Sequence, residues 1–265
     1  MTNAGEASQA AAGGTAGNAG KAAARSAGEA AGQTAGGGAA SLAALDAEIA
    51  ACRACLRLVA WREEVARVRV GRFAGDTYWG RPVPGFGDPE ARLLVLGLAP
   101  AAHGGNRTGR VFTGDRSGDV LYASLHRAGL ARIPTSTARD DGQALTDCRV
   151  AAAVRCAPPA NKPTVEERDR CQPFLVREIA ALDRLRVIVA LGAFGWDAAL
   201  RAAAGLGHAA RPRPRFGHGA EATVGTWTLL GSYHPSQQNT FTGRLTPGML
   251  DAVLARARDL AEGGA

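Results

Sequence analysis

The sequence lacks an apolar run long enough to span a membrane, so we expect no transmembrane helix and no membrane partner. It also lacks the apolar segment of a secretory signal, and residues 1–40 contain too little arginine for a transit peptide. We therefore expect a cytoplasmic protein. In that compartment the five cysteines are not expected to form disulfides, which leaves a metal site or a catalytic thiol as their role.

Large apolar side chains are almost absent from residues 1–40, which contain 16 Ala and 10 Gly. Such a segment cannot bury enough surface to offset its chain entropy, so we expect 1–40 to be a disordered tail. The remainder suits one domain, at 41–262. Charges within the tail cancel, so the formal net charge of +7 falls on the domain. A basic domain favours nucleic acid, although an arginine-rich composition alone would give the same charge.

Four apolar runs alternate with helical patterns along the domain. Strands are predicted at 93–98, 149–155, 187–191 and 223–232, and helices at 117–129, from 164, at 194–203 and at 246–260, with a first helix starting at Ser41. This alternation predicts a three-layer α/β/α sandwich around a four-stranded, mainly parallel sheet. Residues 61–90 are rich in Gly, Pro and aromatic residues and are predicted to be irregular.

A long loop in this scheme follows the first strand and contains residues 99–116. It is rich in glycine, and Ser117 is predicted to be the N-cap of the next helix. The carboxyl ends of parallel strands lie at one edge of a sheet, so this loop should meet those that follow residues 155, 191 and 232. A loop of this length in a compact domain is usually functional, so we expect the active site here.

Four of the five cysteines have the spacing of a ligand set. Cys52 and Cys55 form a CxxC pair at the end of the first helix, and Cys156 and Cys171 follow far downstream. Four thiolates can hold zinc or an iron–sulfur cluster, and the spacing does not choose between them. The alternative is that all are small buried apolar residues. Charged neighbours and the proline-rich loop after Cys156 favour a metal site, whereas Cys148 is predicted not to be a ligand.

Four segments, taken together and in order, resemble family 5 uracil-DNA glycosylases, the UdgB type. They are GLAPAAHGGNRTGRVFTGDRSG (97–118), VRCAPPANKP (154–163), RFGHG (215–219) and HPSQQNTFTG (234–243). The resemblance covers residues 41–262. It implies the α/β/α fold, a structural [4Fe–4S] cluster on those four cysteines, and a monofunctional DNA glycosylase of base excision repair. Its substrates would be uracil and other deaminated bases in double-stranded DNA, with hypoxanthine and ethenocytosine as candidates.

The resemblance also assigns roles to residues at the predicted sheet edge. Phe112 matches the aromatic side chain that stacks on the flipped base. His234 matches the histidine beside the base oxygen, where a neutral ring can donate a hydrogen bond, and is the catalytic candidate. Gly97 and Ala99 lie in the first motif and are expected to line the substrate site. Other families of the superfamily place Asp, Asn or Glu there to orient water, whereas this sequence has Leu98 and Ala99.

Three further residues are expected at the substrate site. His103 and Asp115 lie in the central loop, where either can orient water or a phosphate. Asp115 can equally hold the loop by capping backbone N–H groups. Asn239 is expected to position the His234 loop rather than to touch the base.

Two other segments are predicted to contact DNA. Arg213 and Arg215 lie in a proline-stiffened loop suited to phosphates, although a solvated charge run is the alternative. Gln238 and Arg244 lie in a segment that resembles the one that glycosylases insert into the duplex, where they would fill the vacated stack or clamp phosphates. We expect the protein to act as a monomer.

Two other functions compete with the glycosylase. An iron–sulfur module that binds lesions without cleaving them would account for the missing carboxylate in the first motif. An iron–sulfur oxidoreductase is disfavoured because nothing else in the sequence is typical of a dinucleotide or redox-partner site. A lyase step is not expected of a glycosylase here, since Lys162 is the only lysine after residue 40.

Overall fold

The computed structural model describes residues 36–263. The predicted tail at 1–40 lies outside this range except for residues 36–40, which belong to the first helix. The helices are α1 (Gly36–Ala51), α2 (Leu56–Val68), α3 (Gly105–Thr108), α4 (Arg116–Arg127), α5 (Val165–Ala181), α6 (Gly192–Gly205), α7 (Gln237–Phe241) and α8 (Pro247–Glu262). The strands are β1 (Phe86–Gly87), β2 (Leu93–Gly97), β3 (Cys148–Ala152), β4 (Val187–Leu191), β5 (Glu221–Val224) and β6 (Trp227–Ser232).

The sheet has six strands in the order β1-β3-β2-β4-β6-β5, rather than the four predicted. The four predicted strands are β2, β3, β4 and β6, and neighbouring members of this set are parallel. The two additional strands are antiparallel edges. β1 is two residues long. β5 and β6 form a hairpin, so the predicted strand at 223–232 is interrupted by a turn at Gly225, which has a φ of 63°. The α/β class is as predicted.

Helices cover both faces of the sheet. One buried cluster joins Leu93 and Val95 of β2 to apolar side chains of α4 and α8. The other joins Leu94 and Leu96 to α1, α5 and α6. Because β2, β3 and β4 are buried along their whole length, they appear in the sequence as continuous apolar runs, as strands covered on both faces do. The architecture is therefore the predicted three-layer sandwich.

Several predicted helix ends agree with the structure and others do not. The capping box of Thr164 and Glu167 opens α5, and Thr246 caps α8 with Pro247 next to it. The N-cap of α4 is Asp115, not Ser117, because the Asp115 carboxylate accepts a hydrogen bond from the Gly118 N–H. The first helix begins at Gly36 rather than Ser41.

The prediction of irregular structure across residues 61–90 was wrong for residues 61–68, which belong to α2. Cys148, just before the strand predicted at 149–155, is the first residue of β3 and is fully buried. None of the helices in the described part of the chain combines the length and hydropathy needed to cross a membrane.

Candidate active site

The register of the parallel strands brings four loops to one edge of the sheet. Gly97 pairs with Ala152, and Leu191 pairs with Ser232, so the last residues of neighbouring strands lie close to one level. The chains leaving β2 and β3 remain hydrogen-bonded past the sheet, since the Ala153 N–H donates to the Gly97 carbonyl at 3.0 Å. The loop before α4 and the loop after β6 therefore both reach this edge.

Phe112 and His234 lie next to each other at this edge. Their ring centroids are 5.7 Å apart and the planes are inclined by 35°. Phe112 has a positive φ of 49°, which is rare for a bulky residue, and its ring rests on the backbone of Gly97. A Cβ atom at position 97 would lie 2.5 Å from the Phe112 ring, so only glycine fits. The glycine of the first motif thus makes room for the aromatic ring.

The His234 ring is held in its neutral form. Burial lowers the pKa of His234 to about 4, so the imidazole carries one N–H donor and no charge near pH 7. The Asn239 side-chain amide donates to the His234 backbone carbonyl at 2.9 Å and holds the turn that carries the ring. Gly192, the first residue of α6, lies beside the His234 Cβ.

His103 and Asp115 lie on the loop between β2 and α4. The Tyr78 hydroxyl is 3.0 Å from His103 Nδ1, and burial together with Arg72 and Arg107 lowers the pKa of His103. One Asp115 oxygen caps α4, and the other lies against Gly104. Burial raises the pKa of Asp115. The carboxylate therefore has a structural contact on one oxygen and a second oxygen directed into the loop.

The four cysteines at 52, 55, 156 and 171 line one cavity between α2, α5 and the segment after β3. Burial raises the pKa of Cys156 to about 11 and that of Cys171 to about 12. Within residues 36–263, no three Cys, His, Asp or Glu side chains are arranged to hold a single metal ion. Cys148 is buried in the core cluster that contains α4 and α8.

Comparison with known proteins identifies the family. The model of the uracil DNA glycosylase superfamily matches residues 84–258. A type-5 uracil-DNA glycosylase of Mycobacterium bovis is 58% identical over 223 residues, 83% of this chain and 82% of that protein. The chain belongs to the type-5 uracil-DNA glycosylases.

More distant members of the type-5 family show similar coverage. The type-5 protein of Thermus thermophilus is 54% identical over 217 residues, 80% of this chain and 95% of that protein. That of Pyrobaculum aerophilum is 46% identical over 206 residues, 78% of this chain and 87% of that protein. The chain is therefore a DNA N-glycosylase, a hydrolase of N-glycosyl bonds.

The structure of this glycosylase separates two residues predicted to share the substrate site. Gly97 contacts Phe112, as described above. Ala99 instead packs with the apolar cluster that contains Cys156 and Cys171. The chain thus touches the candidate base site at Gly97, the last residue of β2, and the apolar cluster around Cys156 and Cys171 two residues later.

The residues predicted to contact DNA differ in their surroundings. Arg213 is exposed but forms an ion pair with Asp197, which also binds Arg201. Arg215 is exposed, and the described residues offer it no ion pair. Arg244 is exposed and stacks over Tyr233 at 4.6 Å, and Gln238 is exposed on α7.

Sequence reasoning missed three residues of this glycosylase. Phe241 ends α7 with 67% of its surface exposed, and the Arg116 guanidinium lies 5.3 Å from its ring. Phe241 is the single aromatic residue in the polar segment that follows His234, and this pattern was a signal of a functional role. Arg62 and Arg155 are each 1% exposed and line the cysteine cavity. Nothing in their sequence context distinguishes them from other arginines.

Proposed function

We propose that this enzyme hydrolyses the N-glycosidic bond of uracil in double-stranded DNA, flipping the base out of the helix and starting base excision repair. We extend the proposal to other deaminated bases, with hypoxanthine and ethenocytosine as test cases. The observation that supports it most is the pair formed by Phe112 and neutral His234 at the sheet edge, in a chain of the type-5 family.

His234 supplies the help that the leaving base needs. When the bond to the sugar breaks, the base departs as an anion, and a donor near its carbonyl oxygen lowers the barrier. A neutral imidazole donates this hydrogen bond without releasing a proton, and burial keeps His234 neutral. Asn239 fixes the turn, so the donor is oriented before the base arrives.

Phe112 supplies a stacking surface for the flipped base. Stacking on an aromatic side chain offsets part of the unstacking cost, by about 1–3 kcal/mol per base. The ring is already fixed by Gly97 and by its own strained backbone, so little further order is needed on binding.

Asp115 is proposed to orient the attacking water and to accept a proton from it. Its oxygen next to Gly104 lies in the same loop as Phe112, and the first motif offers Leu98 and Ala99 in place of a carboxylate. His103 is proposed as a neighbour that fixes the loop through Tyr78.

DNA binding is proposed to involve two exposed segments. Arg215 and Arg244 would contact phosphates, while Gln238 and Phe241 on α7 would enter the space left by the flipped base.

We further propose that the enzyme acts as a monomer and without a lyase step. Lys162, the only lysine after residue 40, lies next to the cysteine region, where its carbonyl accepts from Arg57.

We propose that Cys52, Cys55, Cys156 and Cys171 hold a [4Fe–4S] cluster with a structural role. The donor set fits: all four thiols line one cavity, and Arg62 Nη1 donates to Cys156 Sγ at 2.9 Å. The spacing of the four thiols suits zinc as well as a cluster, and the choice of an iron–sulfur cluster is supported by the family resemblance. When bound, the cluster would tie α2, α5 and the segment after β3 together.

The deciding experiment uses the purified full-length protein and a duplex with one uracil. We expect alkali-labile abasic sites to form, no strand break before alkali, and no product from the matched thymine duplex. If uracil, hypoxanthine and ethenocytosine duplexes are bound but none yields an abasic site, the protein is a lesion-binding module and the proposal fails.

A further inference from the structure

Two arginines are buried at the cysteine cavity with part of each guanidinium unsatisfied. Arg62 lies on α2 and Arg155 follows β3, and each is 1% exposed. Arg62 Nε and Arg155 Nε and Nη1 have no hydrogen-bond partner among the described residues. A buried cation that lacks partners is costly, so such groups normally face an acceptor. Both side chains line the cavity that the four cysteines form.

The contacts that these arginines do make point to sulfur. Arg62 Nη1 donates to Cys156 Sγ at 2.9 Å, and Arg62 Nη2 donates to the Cys52 carbonyl at 3.2 Å. The backbone N–H of Arg155 donates to Cys171 Sγ at 3.2 Å. Donors thus already reach two of the four cysteine sulfurs.

The surrounding carboxylates neutralise Arg155 but balance Arg62 only in part. Glu178 is fully buried and pairs with both Arg155 and Arg149. Asp46 on α1 pairs with Arg149, at 2.7 Å. Glu178 and Asp46 thus balance Arg149 and Arg155, whereas Arg62 has only Glu63, at 3.8 Å, and Glu63 also pairs with the exposed Arg53. The positive charge of Arg62 is therefore only partly balanced at the cavity. A cluster held by four thiolates carries net negative charge, which would balance the remaining positive charge. Its sulfides are hydrogen-bond acceptors, which would satisfy the guanidinium N–H groups that have no partner.

We infer that Arg62 and Arg155 are positioning residues for the iron–sulfur cluster, donating N–H groups to its sulfurs and balancing its negative charge. This inference rests on the cofactor proposed above. Positive charge and hydrogen bonds at the sulfurs favour the more reduced state, so these arginines raise the reduction potential and resist oxidative loss of the cluster. Glu178 orients Arg155 and extends the network to Arg149.

The test compares the wild type with Arg62→Gln, Arg62→Lys and Arg155→Gln, all purified anaerobically. In both Gln variants we expect a more negative midpoint potential and cluster loss in air that is about tenfold faster. Arg62→Lys keeps the charge and should stay closer to the wild type. The matched control is Arg110→Gln, because Arg110 is also buried but binds Asp141 and Ser136 in another loop. Arg110→Gln should be less stable than the wild type but should keep the wild-type reduction potential of the cluster.

A second measurement needs no variant to fold. With 15N-labelled guanidino groups, pulsed EPR of the reduced wild type should show 15N coupling to the cluster spin. Absence of this coupling, or Gln variants with wild-type potential and lifetime, would overturn the inference while leaving the cofactor proposal intact. Wild-type protein without iron and sulfide would overturn both.

Discussion

Asp115 makes two different contacts with its two carboxylate oxygens. One accepts from the Gly118 N–H at the start of α4, and the other lies against Gly104 in the loop. Asn caps a helix as well as Asp does but cannot accept a proton from water. The two proposed roles of this side chain can therefore be separated by substitution.

We expect Asp115→Asn to keep the stability of the wild type and to lower kcat by about 100-fold or more. Asp115→Ala should lose similar activity and, in addition, about 1 kcal/mol of stability because the cap is lost. Single-turnover excision and chemical unfolding measure the two effects. If Asp115→Asn turns over at the wild-type rate, Asp115 is only a cap.

His234→Ala should lower kcat by about 100- to 1,000-fold, the usual loss for one oxyanion donor, and leave DNA affinity nearly unchanged. The pKa of His234 in the folded protein is about 4, below its ordinary value of 6.5. As pH falls from about 6.5 to 4, the unfolded chain takes up a proton that the folded site refuses, so stability falls across this window.

The stability measurement separates His234 from other groups. Unfolding by urea at pH 7 and pH 4.5 should show a larger loss for the wild type than for His234→Ala. His126→Gln, a change to an exposed histidine on α4, serves as the control and should behave as the wild type. Equal pH dependence in all three proteins would contradict the assignment of a neutral ring to His234.

At the scale of elements, α7 presents Phe241 to solvent. Phe241→Ala should weaken binding to uracil duplexes by about 1–3 kcal/mol, the value of one stacked base, without affecting stability. Activity on single-stranded uracil DNA should be retained, because no vacated stack has to be filled. Val165→Ala, an exposed apolar residue at the start of α5, is the matched control. Equal losses on both substrates would exclude insertion into the duplex.

The loop between α6 and β5 carries two predicted phosphate contacts that the structure distinguishes. Arg213 shares the Asp197 carboxylate with Arg201, whereas Arg215 has no ion pair among the described residues. Arg215→Ala should therefore reduce the salt dependence of DNA binding by about one unit of slope, and Arg213→Ala by less. Titrations between low and physiological salt measure both slopes. The reverse order would mean that Arg213 leaves Asp197 on binding.

Elements were predictable where burial shaped the residue pattern. β2, β3, β4 and β6 carry continuous apolar runs because helices cover both faces of the sheet. β1 and β5 were not predicted as separate strands because they are short edge strands whose residues are partly exposed. The Phe112 and His234 site followed from motif resemblance, but Arg62 and Arg155 did not, since their burial depends on contacts among α2, α5 and β3 that local sequence does not encode.

At the scale of the whole molecule, the question is where the folded domain begins, and the contacts of α1 address it. Leu42, Leu45 and Ile49 on this helix are buried, and Asp46 joins the charge network through Arg149. Each buried aliphatic side chain contributes about 1.5–3 kcal/mol, so α1 contributes a large share of the stability expected of one domain. We therefore propose that the domain starts near residue 36 and that the preceding segment is a tether.

Two truncations test this boundary. Deleting residues 1–35 should leave the melting temperature and uracil excision unchanged, because the Ala- and Gly-rich composition offers almost no large apolar side chain to bury. Deleting residues 1–51 should unfold the domain or lower its melting temperature sharply, since it also leaves Arg149 with Glu178 as its remaining carboxylate partner. Lower activity of the shorter deletion at normal stability would instead assign residues 1–35 a role in DNA binding.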